Sequence, residues 1–142
     1  MTRIDFHSNV SNPLLYACRL VRKAYTSQVK VAIMMPSDML AKLDEMLWTF
    51  SQIDFIPHCY ATSQHATHTQ VVLATDTDLE KLPHYQVLIN LSEQTPTLFA
   101  RFERLLEIIS TTESARLAGR ERYRFYRDRG YPLQSFNQSG VT

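Results

Sequence analysis

"KVAIMMPSDMLAKLDEMLW", residues 30–48, is the stretch on which the fold turns. Val31 to Met35 run apolar without a break, which suits a short buried strand. Pro36 and Ser37 end the run, and Ser37 can cap the helix that follows. In that helix Leu40, Leu43 and Leu47 recur at helical spacing and form an inner stripe. A buried strand leading into an amphipathic helix is the unit of a parallel α/β sheet.

The same alternation extends in both directions. "RIDFH" (3–7) alternates apolar and polar residues and reads as a strand. "SNVSNP" reads as a loop, with Asn12 as N-cap and Pro13 at the first helical position. The helix should run to about Ser27, with Leu14, Cys18, Val21 and Tyr25 as its buried stripe. Downstream, "FIPHC" (55–59) is a brief extended piece, and "VVLAT" (71–75) and "YQVLINLS" (85–92) are strands. Thr95 and Pro96 are expected to start another helix, with Phe99, Phe102, Leu106 and Ile109 on one side. A last helix spans about 113–129 and stops at Gly130. From about residue 134 to 142 a flexible tail is expected, which makes 1–142 a single domain of 142 residues. The order favours an α/β fold with a mainly parallel sheet.

Composition narrows the function. Hydrophobic residues make up 44% and charged residues 20%, as in a globular domain with one real core. Cys18 and Cys59 have no disulfide-framework spacing, and there is neither a signal-like segment nor an apolar run long enough for a membrane span. A reduced, cytoplasmic protein is expected. The net charge of +1 argues against a general polyanion binder. The three glycines are Gly119, Gly130 and Gly140, so the strand-to-helix turns "HSNVSNP", "MMPSDM" and "SEQTPT" have none. A phosphate-binding loop needs glycine there so that backbone N–H groups can approach the anion, and no nucleotide site is expected.

Catalytic and metal chemistry find little support. His58, Cys59, His65 and His68 are zinc-type ligands, but no ligand pattern fixes their geometry, and a polar loop explains them. His58 and Cys59, adjacent on an extended segment, point to opposite faces, so the histidine is badly placed to activate the thiol. No enzyme site and no cofactor are expected.

The charge that does stand out is local. "ARLAGRERYRFYRDRGY" (115–131) carries Arg116, Arg120, Arg122, Arg124, Arg127 and Arg129, and basic character is confined to this segment. At 100° per residue, and with Arg116 at zero, Arg127 falls at about 20°, Arg120 at about 40° and Arg124 at about 80°. Tyr123 lies beside this stripe. Ala118 and Phe125 should face the protein, while Arg122 and Arg129 flank that side and can snorkel or pair with carboxylates. Glu121 and Asp128 fall off the stripe and should not neutralise it. Forked guanidiniums beside an aromatic ring suit carboxylates or phosphates. An acidic peptide is favoured, and single-stranded nucleic acid, with Tyr123 stacking on bases, is the alternative. Trp48, about 80° from Leu40, sits off the inner stripe and is either core or an exposed anchor, with Phe50, Ile53, Phe55 and Pro57 close behind it.

"KLDEMLW", then "FIPH", then "RERYRFYRDRGY" together resemble the chi subunit of bacterial DNA polymerase III holoenzyme, nearly end to end. The resemblance implies a non-enzymatic, Rossmann-like three-layer domain that binds no nucleotide. It implies partners: the acidic, phenylalanine-ended C-terminal tail of single-stranded DNA-binding protein, the psi subunit of the clamp loader, and a helicase of the XPD-like class at a surface overlapping that for psi. For the tail it points to Arg120 as the main residue, with Arg116, Tyr123 and Arg124. Arg127 extends the stripe, and Leu117 is expected to help enclose the terminal ring. For psi or the helicase it points to Trp48 and Phe55, with Pro57 alongside. The loop "CYATSQHATHTQ" lacks the glycines common in the family, so its shape is expected to differ.

Overall fold

The computed structural model describes residues 1–49 and 56–138. Seven strands form one sheet: β1 (Arg3–Val10), β2 (Val31–Met34), β3 (His58–Tyr60), β4 (Val71–Ala74), β5 (Val87–Asn90), β6 (Arg104–Ser110) and β7 (Leu133–Asn137). Their spatial order is β3-β4-β2-β5-β6-β1-β7, and every pairing is parallel. Helices α1 (Pro13–Thr26) and α2 (Ser37–Thr49) pack on one face, and α3 (Glu113–Asp128) packs on the other.

The short apolar runs explain the three layers. In β2, Val31 and Ile33 join the core under α1 and α2, whereas Ala32 and Met34 join the core on the α3 face. The same alternation splits β4 into Val71 and Leu73 against Val72 and Ala74. Each central strand is therefore buried on both sides, as a parallel sheet requires. α1 begins as expected, with the Asn12 side chain accepting from Leu15 N at 3.2 Å and Pro13 at the first position. Its buried residues are Ala17, Cys18 and Val21, and burial pushes the Cys18 thiol up to about 11, so it stays protonated at neutral pH.

Two expectations are corrected. The helix after Pro96 is absent: residues 99–101 make one 3₁₀ turn, and 104–110 form β6 between β5 and β1. Phe99, Phe102, Leu106 and Ile109 mimic a helical stripe, but Leu106 faces the α1 core and Ile109 the α3 core. Apolar residues on both sides of a strand produce any spacing, including a helical one. The expected tail also gives way, up to Asn137, to β7, which pairs with β1 from Ile4↔Leu133 to Ser8↔Asn137.

β1 runs three residues beyond its expected end. Its register shifts between His7 and Val10, where Asn9 takes a left-handed φ of 57° and its Nδ2 donates to Asn137 Oδ1 at 2.9 Å. On the α1 side His7 stacks on Phe136 (5.2 Å between ring centroids), and its Nδ1 lies 2.5 Å from the Tyr16 hydroxyl.

Burial lowers the His7 pKa below 6.5; Asp5 pulls it up and Arg104 pushes it further down. The neutral ring is thus the form the fold favours. Its contribution should be complete above about pH 6.5 and should be lost as pH falls toward the depressed native value, because the unfolded chain takes up the proton first. Urea midpoints at pH 7.5 and pH 5.5 check this. The wild type should lose stability on acidification, and His7→Gln should lose less.

Candidate functional site: an arginine-lined pocket beneath α3

α3 is placed by a buried polar cluster. Glu107 of β6 has no exposed surface. Its Oε1 accepts from Arg122 Nε at 3.1 Å and Asn90 Nδ2 at 2.9 Å, and its Oε2 accepts from the Tyr126 hydroxyl at 2.6 Å. Arg122 also donates to the Glu93 carbonyl at 2.9 Å. Burial pushes the Glu107 carboxyl up, while the Arg122 guanidinium and the three donors pull against it. Tyr126 is pushed far above its ordinary value by burial and by the Glu107 charge, so it remains a donor.

This cluster sets which way α3 faces. The buried line along the helix is Gly119, Arg122 and Tyr126, flanked by Ala115 and Tyr123. It lies about a quarter turn from the line through Ala118 and Phe125, which are only half-buried. Gly119 permits the close approach: a Cβ there would sit 2.9 Å from Ile109 Cδ1. Thr112 caps the start by accepting from Ala115 N at 3.3 Å, and Gly130, at φ +80°, ends the helix.

With α3 so oriented, Arg116, Arg120 and Tyr123 line a cavity of about 270 Å³ together with Phe6, Ser8, Asn9, Ile109, Gly119 and Ser135. Phe6 meets Tyr123 edge-on at 5.2 Å. One wall is therefore cationic, the inner end is apolar, and Ser8, Asn9 and Ser135 supply polar atoms from β1 and β7. Arg124 and Arg127 continue the exposed stripe beyond the cavity. Leu117 does not line it and points outward, 52% exposed; Phe6, Ile109 and Gly119 close the pocket instead. Arg127 does meet an acid, Asp128 at 3.3 Å, contrary to the expectation of an unopposed stripe, although both side chains stay well exposed. Arg129 folds back over the Phe125 ring, 3.5 Å from its centroid.

The second expected site lies at the end of α2. Trp48 is 50% exposed, and its ring packs against His58 at 4.6 Å between centroids. His58 is buried, with Nε2 2.9 Å from Asp44 Oδ1 and Nδ1 2.7 Å from the Ile56 carbonyl. It ties β3 to α2 beneath the indole. Pro57 is half-buried beside it; Phe55, like Phe50 and Ile53, lies outside the described residues. Asp44 and His58 stand inside the motifs "KLDEMLW" and "FIPH", and the four-residue step from Asp44 to Trp48 was the available sign that they share a helix face. Near Cys59, residues 66–68 form a 3₁₀ turn with His65 and His68 exposed. Among the described residues no group of three or more His, Cys, Asp or Glu could hold a metal ion. None of the described helices is long and apolar enough to cross a membrane.

The fold is a parallel α/β domain with a basic, aromatic-walled pocket under one helix. Residues 1–134 match the family described as DNA polymerase III chi subunit, HolC. The chain is also 35% identical, over 94% of its length and 95% of the relative's, to the DNA polymerase III subunit chi of Pseudomonas aeruginosa. It belongs to the DNA polymerase III chi subunit family, a family of the replication machinery. In fold it is similar to the solved structure "Mss116p DEAD-box helicase domain 2 bound to an RNA duplex", with a TM-score of 0.63 and 11% identity. That similarity covers 95% of this chain and 63% of the other.

Arg122→Met should cost about 3–5 kcal/mol in urea unfolding, because it strands the Glu107 carboxylate in the core. Gly119→Val should cost about 1–3 kcal/mol by overpacking against Ile109. Ile109→Val, which removes Cδ1, should recover part of the Gly119→Val loss in the double variant.

Proposed function

We propose that the chain is a non-catalytic replication adaptor. In this reading the α3 pocket binds the acidic C-terminal tail of single-stranded DNA-binding protein. The Trp48 surface, with Pro57 and Phe55, meets psi and so the clamp loader, or a helicase of the XPD-like class. The observation that carries the tail reading is the joining of Arg116, Arg120 and Tyr123 in one cavity with an apolar end formed by Phe6 and Ile109. A phenylalanine at a chain terminus has two parts, a ring and a carboxylate. The apolar end suits the ring, and the guanidiniums suit the carboxylate as charge-assisted donors.

The stripe also supplies a path. From Arg116 to Arg127 the helix rises about 16 Å, the reach of roughly five extended residues. The terminal residue occupies the cavity at Arg116 and Arg120, and the acidic residues before it pass over Arg124 and Arg127. A disordered tail loses conformational freedom on binding, so the affinity should be roughly micromolar and should weaken with salt.

Fluorescence anisotropy with a labelled acidic peptide ending in phenylalanine tests this reading. Arg120→Ala should weaken binding by about 1–3 kcal/mol, and amidation of the peptide's C-terminus should weaken it too. A poly-dT oligonucleotide in place of the peptide should bind poorly. Strong oligonucleotide binding with no peptide binding would transfer the stripe to nucleic acid and refute the adaptor reading.

A further inference from the structure

The C-terminal ends of β2, β4 and β5 open onto a cavity of about 550 Å³ that has no part in the pocket under α3. In doubly wound sheets this edge is where ligands bind. Here its chemistry opposes a phosphate. Met34, Met35, Met39 and Leu91 form the floor, Asp76 and Glu93 stand at the rim, and no Lys, Arg or His is among the described residues that line it. Methionine is unbranched and polarizable, and a methionine floor adapts to apolar side chains of different shape. Three of the chain's five methionines meet at this one crevice.

The rim carboxylates differ in mobility. Asp76 is anchored, accepting from Thr97 N at 2.8 Å and from the Thr97 hydroxyl. Glu93 is exposed and accepts from the Ser114 hydroxyl at 3.1 Å. α2 begins at Ser37, beside the crevice, and its positive end would favour an anion, but Asp38 in its first turn offsets that. The rim therefore presents negative charge over an apolar floor.

We propose that this crevice is a docking site for a partner polypeptide segment in which an apolar side chain is flanked by lysine or arginine. The apolar residue inserts among Met34, Met35 and Met39, and the flanking cations meet Asp76 and Glu93. This surface has the opposite sign to the α3 stripe, so one domain can hold an acidic and a basic partner together.

The test uses the whole chain with ¹³C-methyl-labelled methionine. A labelled peptide of alternating lysine and leucine is the probe, and a peptide of alternating glutamate and leucine is the control. The basic peptide should shift the methyl signals of Met34, Met35 and Met39 and leave Met1 and Met46 in place. Glu93→Lys should weaken its binding on the order of threefold without changing the urea midpoint beyond the range of a surface substitution, and Met39→Asp, at a side chain that also packs against the α1 and α2 core, should weaken it further. Shifts at Met46 alone, no methyl shifts, equal shifts with the glutamate peptide, or binding indifferent to Glu93→Lys and Met39→Asp would each overturn the proposal.

Discussion

A carboxylate sealed from water and held by an arginine, a tyrosine and an asparagine sets how α3 lies on the sheet. Buried charges of this kind are weak sources of net stability, since desolvation takes back most of what attraction supplies. Their value lies in geometry. Glu107 accepts from Arg122 and Tyr126, which are four apart on α3, and so fixes the rotation of the helix about its own axis. Hydrophobic contact alone would tolerate a different rotation, because Phe125 and Ala118 could also have supplied an apolar face. With Arg122 turned inward, Arg116, Arg120, Arg124 and Arg127 are left on the outside, and Tyr123 comes to lie between the two sides.

The pocket follows from that rotation together with one missing side chain. Gly119 lets the helix lie so close to β6 that a Cβ there would meet Ile109 Cδ1 at 2.9 Å. The close approach brings the first half of the arginine stripe over Phe6 and Ile109. The shift of register in β1 at Asn9 and the pairing of β7 with β1 build the polar wall. Four separate segments thus converge on a cavity that only α3 announces in the sequence.

That division explains what was legible. The stripe could be read because it lies on one helix, and helical geometry converts spacing into direction. The strands β2, β4 and β5 could be read because each is a short apolar run. β6 could not, since its residues serve two cores and imitate helical spacing. Glu107 looked like an ordinary charged residue, because nothing local marks a carboxylate whose partners lie 15 and 19 residues away. Phe6, Ile109 and Ser135 could not be assigned to the site either, because they reach it through sheet order, and the insertion of β1 between β6 and β7 is a long-range event. Leu117, expected to help enclose the terminal ring, lies about 100° from Arg116 and is exposed.

The match in backbone to a helicase domain, at 11% identity, is a match of fold, and fold by itself does not fix a chemistry. A parallel sheet offers its strand C-termini as a ligand edge. Use of that edge for phosphate depends on glycine turns that expose backbone N–H groups. In this chain the turn after β2 is Met35-Pro36-Ser37, which has no glycine and where proline removes a donor. Of the described glycines, Gly119 lies in α3 and lets the helix approach β6, and Gly130 lies just past the helix end. Conformational freedom that a nucleotide binder places at the sheet edge is here placed on the helix that carries the arginines. In the proposed reading, anion recognition rests on guanidiniums of a helix face and not on backbone N–H groups at a loop. That arrangement suits a flexible carboxylate peptide better than a compact phosphate, since side chains spread along about three helical turns can follow an extended chain, whereas a loop encloses a single group.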